Sequence, residues 1–108
     1  MLNINGSKIS FVRGDTGYLQ VTIHTRTGEF YIMQEGDSIA FHLFKKRKGK
    51  KIEESDKVLT KILQNRTLTL EPEDTFFLQC GVYYYKIILT KADGEVQTIN
   101  YGPFVLTK

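Results

Sequence analysis

The stretch LTLEPEDTFFLQCGVYYYKIIL, Leu68–Leu89, decides the fold of this 108-residue chain. An apolar–polar alternation runs into Pro72, where a strand must end because proline has no N–H to donate to a sheet ladder. A polar turn over residues 73–75 follows, and Gly81 opens a second alternating segment. The stretch therefore predicts two strands that are joined by a structured corner.

Three consecutive tyrosines follow Gly81, and they alternate in direction along the second strand. Tyr83 shares one face with Tyr85, and Tyr84 points to the other. This layout resembles the crossing between the two sheets of immunoglobulin-like sandwiches, where a turn residue and a tyrosine early in the next strand tie the corner by hydrogen bonds. We expect that role to fall to the residues Asp74, Thr75 and Tyr83.

Period-two alternation recurs along most of the chain and predicts eight or nine short strands. The clearest lie at Tyr18–His24, Ser38–Lys45 and Gly81–Lys91, and Asp93-Gly94 predicts a hairpin turn after the last of these. We expect the others at 8–12, 29–33, 57–63, 66–70, 96–101 and 104–107, with Gly102-Pro103 bending the chain. The expected fold is a single all-β domain over residues 1–108, an immunoglobulin-like antiparallel β-sandwich of about seven to nine strands. A small closed barrel is the alternative.

Composition is that of an ordinary globular domain, with 41% hydrophobic and 25% charged residues. No apolar run approaches the roughly 18 residues of a membrane-spanning helix. The N-terminal segment lacks the basic and apolar regions of a secretory signal, which predicts folding in a cytosol. Cys80 is the single cysteine, so neither an internal disulfide nor a thiolate metal cluster is expected.

Candidate catalytic groups are few. His24 and His42 fall on the outward faces of predicted strands, and neither lies beside a serine or cysteine nucleophile. A metal site would need a third ligand whose position the pattern does not suggest. We therefore expect no enzyme activity, no cofactor and no metal.

Positive charge is concentrated in one segment, although the whole chain carries only +3. Without this segment, nine positive and twelve negative residues leave the rest of the chain at −3. The segment predicts either contact with an acidic partner or anionic polymer, such as nucleic acid or a cell-wall polymer, or a solvated loop whose lysines discourage edge pairing. A nucleic-acid surface is disfavoured because such surfaces add arginines and stacking aromatics. The residues are Lys45, Lys46, Arg47, Lys48, Lys50 and Lys51.

Aromatic residues are numerous, with six tyrosines and seven phenylalanines. Most alternate in a way that fills a sandwich core. Four are expected to face outward, as a protein interface or as covering for edge strands. These are Tyr31, Phe44, Tyr84 and Tyr101.

The order of motifs resembles a known family. The series is ISFVRGDT (9–16), FY (30–31), EGD (35–37), LEPEDT (70–75), GVYYY (81–85), DG (93–94) and GPF (102–104). It resembles the immunoglobulin-like N-terminal domain of phage baseplate upper proteins and similar small tail proteins encoded in prophages of Gram-positive bacteria. There the domain attaches to the tail, and a longer C-terminal region binds the receptor.

The resemblance implies a non-catalytic structural or docking role through protein–protein contacts. The implied partners are other tail or baseplate proteins, or further copies of the same chain, with neither membrane nor nucleic acid. The implied location is the bacterial host cytoplasm during assembly and then the virion. The resemblance also leads us to expect an acidic residue where Lys86 stands, a difference that bears on surface contacts.

Overall fold

A computed structural model describes residues 2–5, 7–24, 27–46 and 49–108, and strands dominate these ranges. No described helix is long and apolar enough to cross a membrane. The predicted all-β class is confirmed. The elements are β1 Leu2–Asn5, β2 Lys8–Val12, β3 Gly17–Gln20, β4 Ser38–Lys45, a 3₁₀-helix at Glu54–Asp56, β5 Lys57–Ile62, β6 Thr67–Leu70, the single-turn α1 Pro72–Thr75, β7 Gly81–Thr90 and β8 Val96–Thr107.

The strands form two sheets. One has six strands in the order β1-β2-β8-β7-β4-β5, and the other pairs β3 with β6. The expectation of a purely antiparallel arrangement is wrong at one pair, because β2 runs parallel to β8 with Ile9 opposite Phe104. These two strands are distant in sequence, so no hairpin fixes their relative direction, and alternation is the same for both directions of pairing.

The core lies between the two sheets and is rich in aromatic rings. Phe41, Tyr85 and Phe104 are fully buried on the inner face of the six-stranded sheet. The ring centroid of Phe41 lies 6.0 Å from those of the other two. The small sheet covers them with Leu68 and Leu70, which are also fully buried. The alternating apolar residues of the sequence thus meet in one sandwich-like core, as predicted.

Two predicted features of the strands are wrong. Segment 29–33 is not a strand, because only Phe30 forms a bridge, with His24, and Tyr31 N donates to the Ile23 carbonyl at 2.7 Å. The strands predicted at 96–101 and 104–107 are also one strand, since β8 continues through Gly102 and Pro103. A Cβ at Gly102 would lie 2.6 Å from the Ser7 carbonyl oxygen, so glycine is needed there for close approach of two backbones.

Candidate functional site

The corner between β6 and β7 is tied by the carboxylate of Asp74. Its Oδ2 accepts the Glu71 N–H at 2.7 Å and closes the capping box of α1. The same oxygen lies 3.0 Å from Nζ of Lys61 in an ion pair that is largely shielded from solvent. Because Lys61 belongs to the six-stranded sheet and α1 follows the small sheet, this pair links the two layers.

Thr75 and Tyr83 fix the remaining sides of the corner. Thr75 is fully buried, and its Oγ1 accepts the N–H of Gly14 from the β2–β3 turn at 2.9 Å. The Tyr83 hydroxyl donates to the Gln79 carbonyl, four residues upstream, at 2.7 Å. Burial raises the pKa of Tyr83, which keeps this donor protonated. The three predicted corner residues therefore lie in one corner but bond to different partners.

Tyr84 and Tyr101 lie together on the outer face of the six-stranded sheet. Their ring centroids are 6.3 Å apart, and 59% of Tyr101 is exposed. Together with Lys86 and Thr98 they border a shallow hollow of about 270 Å³. The sequence placed both tyrosines outward, and the structure adds that they are neighbours.

Phe44 lies on the outward side of β4 opposite Tyr84, as predicted, but only 4% of its surface is exposed, so its prediction as an interface residue is wrong. The β4–β5 register shifts between Leu43 and Phe44, a bulge that simple alternation does not reveal. The ammonium groups of Lys57 and Lys86 lie 6.0 and 5.7 Å from the Phe44 ring centre. The long lysine side chains cover the ring while their charges stay in water.

Tyr31 is held by a loop and is only partly exposed. Its hydroxyl donates to Oδ2 of Asp37 at 2.5 Å, and the Asp37 carboxylate also accepts the N–H groups of Gln34 and Ala92. The hydrogen bond to Asp37, together with burial, raises the pKa of Tyr31 to about 12. The same bond lowers the pKa of Asp37. Through Asp37, Tyr31 thus links the loop that precedes β4 to the β7–β8 turn at Ala92.

This pair predicts a stability loss at high pH. The pKa of Tyr31 is raised from 10.0 to about 12 in the folded chain, so its contribution is complete below pH 10 and is lost between pH 10 and 12. Asp37 has a lowered pKa, so its contribution is lost as the pH falls below about 4. Thermal melts should show that the wild type loses stability faster than Tyr31→Phe between pH 10 and 12. A constant difference across that interval would contradict the assignment.

The described part of the basic segment is exposed. Lys45, Lys46, Lys50 and Lys51 are all on the surface, whereas Arg47 and Lys48 lie outside the described residues. Within the described ranges, the ion pairs are formed by lysines outside this segment, which are Lys57, Lys61 and Lys91. The four described lysines of the segment thus present their charge to solvent.

The two histidines lie apart from any cluster of reactive groups in the described chain. His24 is exposed, with its ring 4.9 Å from that of Phe30. Nδ1 of His42 lies 3.1 Å from Oγ1 of Thr60, and burial followed by the charge of Lys57 lowers the pKa of His42. No group of three or more His, Cys, Asp or Glu side chains is placed to hold a metal among these residues.

The wider outer face was not predicted, because it depends on strand register. The rows that pair across β4, β7 and β8 on this side are Ala40–Ile88–Thr98, His42–Lys86–Tyr101 and Phe44–Tyr84–Pro103. Most of these side chains are apolar or aromatic, and none of them is Asp or Glu. Ile62 of the edge strand β5 joins them opposite Ala40 and is 56% exposed. We use "outer face" for Ala40, Ile62, Val82, Tyr84, Lys86, Ile88, Tyr101, Pro103 and Val105.

A second exposed apolar feature lies at the corner. Phe76 and Phe77 follow α1 with 62% and 85% of their surfaces exposed, and their rings meet edge to face at 5.5 Å. Hydrophobicity alone assigns such residues to a core, so sequence reasoning missed them.

The described residues offer aromatic and apolar surfaces together with an exposed basic segment, which is chemistry suited to binding. Comparison of the chain with family models, with curated proteins and with solved structures finds no match.

Proposed function

We propose that this chain is an immunoglobulin-like β-sandwich that serves as a non-catalytic docking protein. The strand order supports the fold assignment. Strands β4, β7 and β8 are adjacent, as are C, F and G of immunoglobulin domains, and β5 extends that sheet beside β4 as C′ does. Strands β3 and β6 face them in the second sheet, in the places of B and E.

The corner gives a second line of support. In immunoglobulin domains, a tyrosine near the start of strand F donates its hydroxyl to backbone a few residues upstream. The bond from Tyr83 to Gln79 has that form, and it lies near the start of β7. Tyr85, two residues later, stands where disulfide-bonded members carry cysteine, and its buried hydroxyl donates to the Ser7 carbonyl at 2.5 Å. A hydrogen bond and aromatic packing thus replace a covalent link.

The outer face is the observation that carries the docking role. It is broad and mostly apolar and aromatic, and Lys86 is the only Lys, Arg, Asp or Glu that the described strands β4, β7 and β8 place on it. Val82, Tyr84 and Tyr101 form its centre on adjacent strands, with 50% of Val82 exposed. Protein interfaces are enriched in tyrosine and depleted of acidic residues, and exposed apolar patches of this kind mark interaction sites on soluble proteins. The expected occupant is a folded protein with a matching apolar surface.

The motif series adds the biological setting. Its resemblance to the N-terminal domain of phage baseplate upper proteins supports a structural role in a phage or prophage tail or baseplate. The partner would be another tail or baseplate protein or a further copy of this chain. The protein would fold in the bacterial cytoplasm and then enter the virion.

The test combines particle purification with a matched pair of tyrosine variants. Prophage particles are induced from the bacterium that carries the gene, purified and probed for this protein by immuno-electron microscopy. We expect the wild type on the tail and expect Tyr84→Ala/Tyr101→Ala to be lost from it. Phe30→Ala is the control, because Phe30 is 66% exposed and lies outside the named strands of both sheets.

Two results would contradict the proposal. If the protein is missing from all purified particles, the phage setting is wrong. If the double variant has the same melting temperature as the wild type and enters particles equally well, the outer face does not dock.

The alternative function is binding of an anionic polymer, and the exposure of the four described lysines favours it. Each phosphate contact releases counterions, so this binding would weaken steeply with salt. Replacing all six basic residues of the segment with serine should then abolish retention on heparin without affecting entry into particles. Retention equal to that of the wild type would exclude the segment as a binding site.

A further inference from the structure

Among the strands that the structure describes, none pairs with the outer edge of β3 in the small sheet. The Val21 N–H donates to the Arg66 carbonyl at 2.8 Å, so the backbone groups of residues 17, 19 and 21 point toward β6. In an antiparallel pair, the backbone N–H and C=O groups of successive residues point alternately toward the partner strand and away from it. The N–H and C=O groups of Tyr18, Gln20 and Thr22 therefore point away from β6, to the side where the described ranges give the small sheet no third strand.

Beside this edge lie two hollows of about 220 and 300 Å³, both bordered by Thr22 and Ile99. The floor of the first is core surface from Ile9, Tyr85 and Ile87 of the opposite sheet. The share of liquid volume per water molecule is about 30 Å³, so each hollow is large enough for apolar side chains rather than a single water. The edge thus stands over a groove that leads to the core.

The chemistry of this edge differs from that of the edge strand in the other sheet. Exposed edges are usually protected by lysine or proline, and β5 carries Lys57 and Lys61. The segment 17–24, GYLQVTIH, contains no lysine, arginine, acid or proline. None of the described residues that line the two hollows is an acid, lysine or arginine. An uncharged occupant therefore matches this groove.

We propose that the β3 edge accepts an extended, uncharged segment of a partner protein as the third strand of the small sheet. Its backbone would pair with Gln20 and Thr22, and every second side chain, which must be uncharged, would enter the hollows. Main-chain hydrogen bonds supply the affinity in this mode of recognition, and alternate side-chain pockets supply the specificity. The site shares Thr98 with the hollow beside Tyr84 and Tyr101 but lies along β3, and it does not depend on the docking role of the outer face.

The first experiment measures amide hydrogen exchange in the free protein. Val21 should be protected, whereas Gln20 and Thr22 should exchange at least tenfold faster. The probe is a panel of fluorescein-labelled, end-capped seven-residue peptides with threonine at odd positions and valine, isoleucine, leucine or phenylalanine at even ones. At least one peptide should bind by fluorescence anisotropy and slow exchange at Gln20 and Thr22 at least tenfold.

The second experiment uses variants to locate the binding. Thr22→Pro deletes the outward N–H, and Ile99→Phe places a larger side chain at the residue that borders both hollows without changing the edge. Each should weaken binding at least tenfold, while Thr60→Pro, on the edge strand of the other sheet, should leave it unchanged. Using two variants keeps the test valid if one fails to fold. The proposal is overturned if no peptide binds, or if a bound peptide protects β5 instead of β3.

Discussion

Phe41→Ala is expected to lower the free energy of unfolding by about 3–5 kcal/mol, the usual range for deleting a buried phenylalanine ring. Phe41 has no exposed surface, and its ring stacks on Tyr85 and meets Phe104. Deleting it removes contacts on both sides and leaves a cavity that rigid neighbouring strands cannot fill. Urea titration followed by circular dichroism gives the value directly.

The control for this substitution is the same change at an exposed ring. Phe77 is 85% exposed, so Phe77→Ala should change stability by no more than about 0.5 kcal/mol. Similar losses for the two variants would mean that the aromatic cluster does not organise the core.

Thr75→Val is expected to cost about 1–3 kcal/mol, although valine has nearly the same shape. The methyl group cannot accept the N–H of Gly14, which Oγ1 of Thr75 now accepts at 2.9 Å. A donor in the β2–β3 turn then loses its partner beside a fully buried side chain. The melting temperature should fall, and the Gly14 amide should exchange faster with solvent.

Thr75→Ser separates the hydroxyl from the methyl group. It keeps the acceptor and should cost less than valine, since it loses roughly one buried methyl, about 0.8 kcal/mol. If serine destabilised the protein more than valine, packing rather than the hydrogen bond would hold the corner.

Sequence reasoning about the candidate surfaces succeeded where period-two alternation was sufficient. It placed Tyr84 and Tyr101 outward, and both lie on the outer face. It also placed Phe44 outward but did not predict its burial, because the two lysines that cover its ring come from neighbouring strands. It also missed Phe77, whose 85% exposure contradicts its hydrophobicity. The identity of a side chain does not reveal what lies above it.

Alternation along the chain was enough to predict which residues face inward in most strands. Turn chemistry was enough to predict the corner at Pro72–Thr75. Both are local properties of the amino-acid sequence. Only the tertiary structure decided that β2 runs parallel to β8, and that β3 and β6 form a sheet with an unpaired edge. Strand direction and neighbours depend on contacts between segments that are far apart in sequence, and alternation is identical for every such pairing.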